Sequence, residues 1–255
     1  MGPRMGGPMG PPMGGPSMSG SPMGGFPMQT PSPPPPSKVP GCPPGMEFLV
    51  PLHSVVIAQQ VEPFEVMTGV ETQNRYRIMN EQGHLLFYVS EGTDIMTMNY
   101  FQGSERPFVL MFWDFYWRPL MAVQRPYRLF SCNFCCCCLQ EISIEAPPGQ
   151  LIGFVTQQPS CCCSVHFVRD AARTPLQIIK GPCCVWDSCP CDTDFKITMG
   201  GKEMGKISKK WGGFIQEMYS DADTFCLTFD PNVDVMTKAR LIAATLLIDF
   251  MYFER

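Results

Sequence analysis

Positive charge is scarce in this chain: 19 Lys and Arg stand against 23 Asp and Glu, a formal net charge of −4. That balance argues against non-specific binding to nucleic acid, which depends on clustered cations. Charge of either sign is nearly missing from residues 1–40, where only Arg4 and Lys38 interrupt Met, Gly, Pro and Ser in recurring PMGG-like units. Such a stretch has too little apolar surface to offset the entropy of ordering and reads as a disordered, proline-rich tail. No basic segment followed by an apolar core opens the sequence, so a secretory signal is not expected and the chain is read as facing the cytoplasm. Gly2 is not read as a myristoylation acceptor, because position 6 is Gly where that pattern wants Ser or Thr. Histidine is limited to His53, His84 and His166. With no Gly-rich phosphate loop and no nucleophile or carboxylate motif beside them, the chain is not expected to make or break covalent bonds.

Cysteine, by contrast, is plentiful, with 14 residues. In a chain that does not look secreted these thiols are expected to be reduced. They cluster as Cys132 with Cys135 to Cys138, then Cys161 to Cys163, then Cys183, Cys184, Cys189 and Cys191. Four in a row match neither a disulfide framework nor the C-x-x-C of a zinc ribbon. Buried thiols, or a zinc site shared among the clusters, remain alternatives to a chemically modified run.

From Gly41 onward, short apolar runs recur between turn residues, the signature of a sandwich or barrel. Leu49 to Gln59 opens the domain. Arg75–Met79 and Leu85–Val89 flank Asn80 to Gly83 as a hairpin, and Phe108–Trp113 pairs with Leu120–Gln124. Glu141–Glu145 alternates polar and apolar before Pro147-Pro148-Gly149, and Leu151–Val155 resumes the run, so one face is buried and the other wet. Val165–Val168 with Leu176–Ile179, Phe195–Thr198 with Gly205–Ser208, and finally Thr224–Phe229 complete the series.

The only long helix expected is residues 236–254, which is apolar on every side from Leu241 to Phe253 and must be buried in protein or in lipid. Its span of roughly 25 Å fits either. Asp249 favours protein, since a carboxylate near the middle of a lipid-embedded helix costs about 2.5 to 3.5 kcal/mol. Lys238 and Arg240 before the run keep open a single-pass tail inserted from the cytoplasmic side. Many strands and one all-round apolar helix are best satisfied together by a closed, mainly β barrel of residues 41–255 wrapped around that helix.

Several stretches together resemble the phospholipid scramblase family: Cys42 to Leu49 (CPPGMEFL), Gly69 to Tyr76 (GVETQNRY), Arg125-Pro126 leading into the cysteine run, Gln140-Glu141 and Ala146 to Gly149. To these add Gly181-Pro182-Cys183, Gly205 to Lys209 (GKISK), Asp221-Ala222-Asp223 and Leu247 to Met251. The resemblance implies a twelve-stranded antiparallel barrel around a central helix, as in tubby-like proteins. It also implies membrane association, palmitoylation, and calcium-stimulated, ATP-independent movement of phospholipids between leaflets. A palmitoylated, barrel-shaped membrane adaptor is the alternative.

The sites follow from this reading. Cys135, Cys136, Cys137 and Cys138 are the lipidation candidates, because neighbouring accessible thiols suit an acyltransferase and two acyl chains give stable anchoring where one does not. The family pattern often has a Pro inside this run, and here it is unbroken. Asp221 and Asp223, with Asp230 or Asp234, are candidates for a weak calcium site. An EF-hand is excluded, since its positions 5, 6 and 12 fall on Phe225, Cys226 and Asn232. Pro31, Pro33, Pro34 and Pro36 have the spacing of a polyproline ligand for an SH3-type domain or of a plain linker. Lys206, Lys209 and Lys210 align with a stretch that serves some scramblases in nuclear import, and otherwise read as solvated strand-edge charges. The expected place is a membrane, at the cytoplasmic face of the plasma membrane, and oligomeric state is not legible.

Overall fold

The computed structural model describes residues 39–60, 73–93, 106–128, 138–161, 163–183, 185, 193–210, 223–230 and 232–253. Twelve strands run in chain order: β1 (Ser54–Gln60), β2 (Arg75–Met79), β3 (Leu85–Glu91), β4 (Phe108–Trp113), β5 (Pro119–Arg125) and β6 (Glu141–Glu145). They continue as β7 (Leu151–Gln157), β8 (Val165–Asp170), β9 (Pro175–Lys180), β10 (Thr193–Met199), β11 (Lys202–Lys210) and β12 (Thr224–Phe229). Each is antiparallel to its neighbour in sequence, and β1 closes the barrel on β12 with Val56 opposite Cys226. Every expected hairpin is present in the expected register order. Alternation explains the wall: in β6, Ile142 and Ile144 are fully buried while Glu141, Ser143 and Glu145 stay partly exposed.

Several strands run a residue or more beyond the expected bounds, and the opening of the domain differs in kind. Leu49 does not open β1; Glu47–Leu49 is instead a 3-10 turn, and the strand starts at Ser54. Pro51 has no N–H to give a ladder, which keeps the preceding residues out of the sheet.

Helix α1 (Val235–Tyr252) fills the barrel, and every residue from Thr237 to Phe250 is buried. Asp234 starts it by accepting a hydrogen bond from the Thr237 N–H at 3.0 Å. Its polar residues find protein partners. The Lys238 ammonium donates to the carbonyls of Leu49, Val50 and Leu52 at 2.8–3.0 Å, tying the helix to the 3-10 turn and the entry to β1. Arg240 Nε donates to the Ile152 carbonyl at 2.9 Å. Tyr76 Oη donates to Asp249 Oδ2 at 2.7 Å. A bilayer interior offers none of these partners, so the pattern that left a lipid-embedded tail open belongs to a helix enclosed in protein. No helix among the described residues is long and apolar enough to cross a membrane. The single-pass expectation is therefore corrected: Lys238 and Arg240 are buried ties inside the barrel.

Antiparallel order also fixes the two ends of the barrel. The turns β2–β3, β4–β5, β6–β7, β8–β9 and β10–β11 are short and lie with the start of α1 at one end. The connections β1–β2, β3–β4, β5–β6, β7–β8, β9–β10 and β11–β12 are longer and leave from the other, where α1 finishes against Phe195 and Phe225.

Candidate functional site

All three cysteine clusters belong to connections at the same end: Cys132 to Cys138 join β5 to β6, Cys161 to Cys163 join β7 to β8, and Cys183 to Cys191 join β9 to β10. Those strands are consecutive in the wall, so clusters far apart in sequence leave from adjacent strand ends. Cys163 and Cys183 bring their Sγ atoms to 3.6 Å. Cys161 and Cys183 are exposed, whereas Cys138 is buried, and Cys135, Cys136 and Cys137 lie outside the described residues. No group of three or more His, Cys, Asp or Glu among the described residues is placed to hold a metal.

The roots of the β5–β6 connection are clamped together. Arg125, the last residue of β5, donates through Nε and Nη2 to Gln140 Oε1 at 2.9 and 2.7 Å. Gln140 Nε2 donates to the Cys138 carbonyl, and its N–H donates to Gln157 Oε1. Arg128 Nη1 donates to the Leu139 carbonyl at 2.7 Å. Nearby, Arg106 and Glu91 form a buried two-point ion pair at 2.8 and 3.0 Å, with the Arg106 guanidinium over the Phe250 ring of α1. A polar collar therefore ties together the ends of β3, β5, β6 and β7 at the rim from which the first cysteine cluster departs. Sequence reasoning found Arg125 only through the family resemblance and missed Glu91, Arg106 and Gln157, since no local pattern marks pairs that the strand order brings together.

Beside the collar, the outer wall of β6, β7 and β8 holds a polar cleft of about 310 Å³, lined by Arg128, Arg169, Arg173, Glu141, Thr156 and Gln158 among others. Arg173 makes a two-point ion pair with Glu141, both bonds at 3.0 Å, and this hydrogen bonding holds its guanidinium above the usual arginine pKa. Its guanidinium also sits over Phe154 at 3.9 Å.

Asp223 is in an ion pair with Lys209 at 3.0 Å, and Asp221 lies outside the described residues. Asp230 accepts from the Asn232 N–H and from Lys202, which keeps its carboxyl below the usual range, and Asp234 caps α1. Each described carboxylate of the calcium set is thus already engaged. Phe225 points into the barrel from β12, on the same face as the buried Leu227 and Phe229. Lys206 pairs with Asp194 at 3.1 Å, Lys209 also lies 3.9 Å from the Phe253 ring centre, and Lys210 sits opposite Thr224 at the strand end. Pro31, Pro33, Pro34 and Pro36 lie outside the described residues.

His166 lies at this same end, fully buried against the edge of Tyr252, with Nδ1 3.3 Å from Ser164 Oγ. Burial lowers its pKa to about 4, because the protonated ring would lose its hydration. The unfolded chain, titrating near 6.5, then binds the extra proton between those two values. Stability is complete above about pH 6.5 and falls as the pH drops toward 4, by about 3 kcal/mol from this one residue. Urea denaturation at pH 7, 5 and 4 should show that loss in the native chain and lack it in His166→Gln.

The scramblase family pattern matches residues 32–255. The chain is 43% identical over 227 residues to phospholipid scramblase 1 of Mus musculus, covering 88% of this chain and 67% of that protein. It is 40% identical over 250 residues to phospholipid scramblase 2 of Bos taurus, covering 97% and 84%. Against phospholipid scramblase 1 of Homo sapiens the figures are 43% identity over 227 residues, 88% and 69%. No solved structure matches the chain. The match extends through all twelve strands and the enclosed helix, and the chain belongs to the scramblase family.

Proposed function

We propose that this protein associates with membranes and moves phospholipids between leaflets without ATP, stimulated by calcium. The observation that carries the reading is the continuous family match across the whole barrel, to relatives named phospholipid scramblases. It favours lipid translocation over the adaptor alternative. The barrel bears on how the work is done. With α1 inside the barrel and buried from Thr237 to Phe250, side chains occupy the interior, and the void beside Met46, Ala239 and Ile242 holds about 10 Å³, too little for a headgroup to pass. Lipid movement on this reading takes place at the outer surface, against the bilayer.

The end carrying the three cysteine clusters is the face turned to the membrane. Palmitate on Cys135, Cys136 and Cys137 would anchor it, and two or more chains give the stable attachment that one does not. Cys138, being buried, is the least suited of the four. Calcium would be held weakly, with a dissociation constant of about 10⁻⁴ to 10⁻³ M, because Asp221 and Asp223 lack the Gly and terminal bidentate carboxylate of an organised loop. It would also have to displace Lys209 from Asp223.

Reconstitution tests the reading. Vesicles carrying a fluorescent phospholipid in both leaflets lose only the outer half of their signal to dithionite. With the purified chain the loss should go to completion, faster with calcium and without nucleotide. Bleaching that stops at half, with or without calcium, would overturn the assignment.

A further inference from the structure

We infer that the arginine cleft on β6, β7 and β8 is a binding site for the phosphate of an anionic phospholipid headgroup. This rests on the cysteine-bearing end facing the membrane. Three guanidinium groups, Arg128, Arg169 and Arg173, share the cleft with one carboxylate, Glu141, which leaves it two positive charges in excess. In a chain whose net charge is −4, such a local excess is the opposite of the background. Guanidinium groups offer paired donors that match phosphate oxygens.

The geometry adds three points. Glu141 takes both of its close ion-pair bonds from Arg173 and stands 3.6 Å from Arg128, so its charge is already spent. Arg169 meets no carboxylate among the described residues. Its Nε is held by Thr156 Oγ1 at 3.0 Å and its Nη1 by the Arg173 carbonyl at 2.9 Å, bonds that orient the group without neutralising it. Finally, Arg128 and Leu139, which are joined by a hydrogen bond and both line the cleft, bracket the cysteine run in sequence. Acyl chains on that run would bring the bilayer surface to the cleft, where local headgroup concentration is high. At about 310 Å³ the cleft has room for a phosphate with part of its headgroup. Phosphatidic acid, whose phosphomonoester approaches two negative charges, complements the excess most closely.

The test uses the full chain purified without acyl groups, so that anchoring does not mask recognition. Its binding is measured to phosphatidylcholine vesicles, to the same vesicles with phosphatidic acid, and, by calorimetry, to soluble glycerol 3-phosphate. Arg169→Gln should weaken phosphatidic-acid binding about tenfold, the loss expected for one charge-assisted contact, and leave the neutral vesicles unaffected. Glu141→Gln should strengthen it, because Arg173 and Arg128 are released to the ligand. A gain of binding is not produced by misfolding, and matched thermal melts check the Arg169 variant. Equal binding by all three proteins would overturn the site. Tight binding of glycerol 3-phosphate with none to vesicles would overturn the lipid as its source. Neither readout requires lipid movement, so failure of scrambling and failure of this site are separate results.

Discussion

Truncation after Asp234, removing α1, is expected to leave no folded barrel: insoluble on expression, and without a cooperative unfolding transition after refolding. Leu241, Ile242, Leu246, Leu247, Ile248 and Phe250 are each at most 1% exposed. At about 1.5–3 kcal/mol for each large apolar side chain buried, these six alone contribute roughly 9–18 kcal/mol, as much as the whole stability of a typical domain. The loss is compounded by what the helix leaves behind. Tyr76, Phe108, Phe195, Phe225 and Leu227 would face an open, wet lumen, and the carbonyls of Leu49, Val50 and Leu52 would lose the Lys238 ammonium. A tail serving only as an anchor would behave in the opposite way, since its removal would free a soluble, folded barrel. Solubility and a urea transition of residues 1–234 decide between these outcomes.

How much of this was legible beforehand depended on whether the signal was local. Strands such as Glu141–Glu145 and Thr224–Phe229 announce themselves because alternation and bounding turns lie within a few residues. The enclosed helix was legible for a related reason: a stretch apolar on every side has few places to go. Lys238 shows the limit, because a cation before an apolar run reads the same whether it faces headgroups or, as here, three backbone carbonyls 186 to 189 residues away. Glu91 ends β3 and Arg106 lies 15 residues on, just before β4, and the antiparallel pairing of these two strands makes them partners. The same holds for the cleft, where Arg173 reaches Glu141 across 32 residues. The convergence of the cysteine clusters could have been found by counting, since connections separated by two strands of an antiparallel series fall at the same end.

The orientation of the barrel is the point on which the functional account turns. If the cysteine-bearing end faces the bilayer, the opposite end faces water, and two positions separate these cases. Pro159, exposed between β7 and β8, lies at the cysteine-bearing end; Tyr116, 75% exposed in the β4–β5 turn, lies at the other. Strands of about seven residues place these levels on the order of 20 Å apart. The aromatic turn containing Phe115, Tyr116 and Trp117 makes the contrast sharp, because such side chains would also suit a membrane interface. A small fluorescent amino acid placed singly at position 116 or 159 of the acylated chain, on vesicles with quencher-bearing lipids, reads the orientation directly. The probe at 159 is expected to be quenched by shallow lipid quenchers and the probe at 116 only by aqueous iodide. Lipid quenching at 116 with none at 159 would turn the barrel over and contradict this orientation.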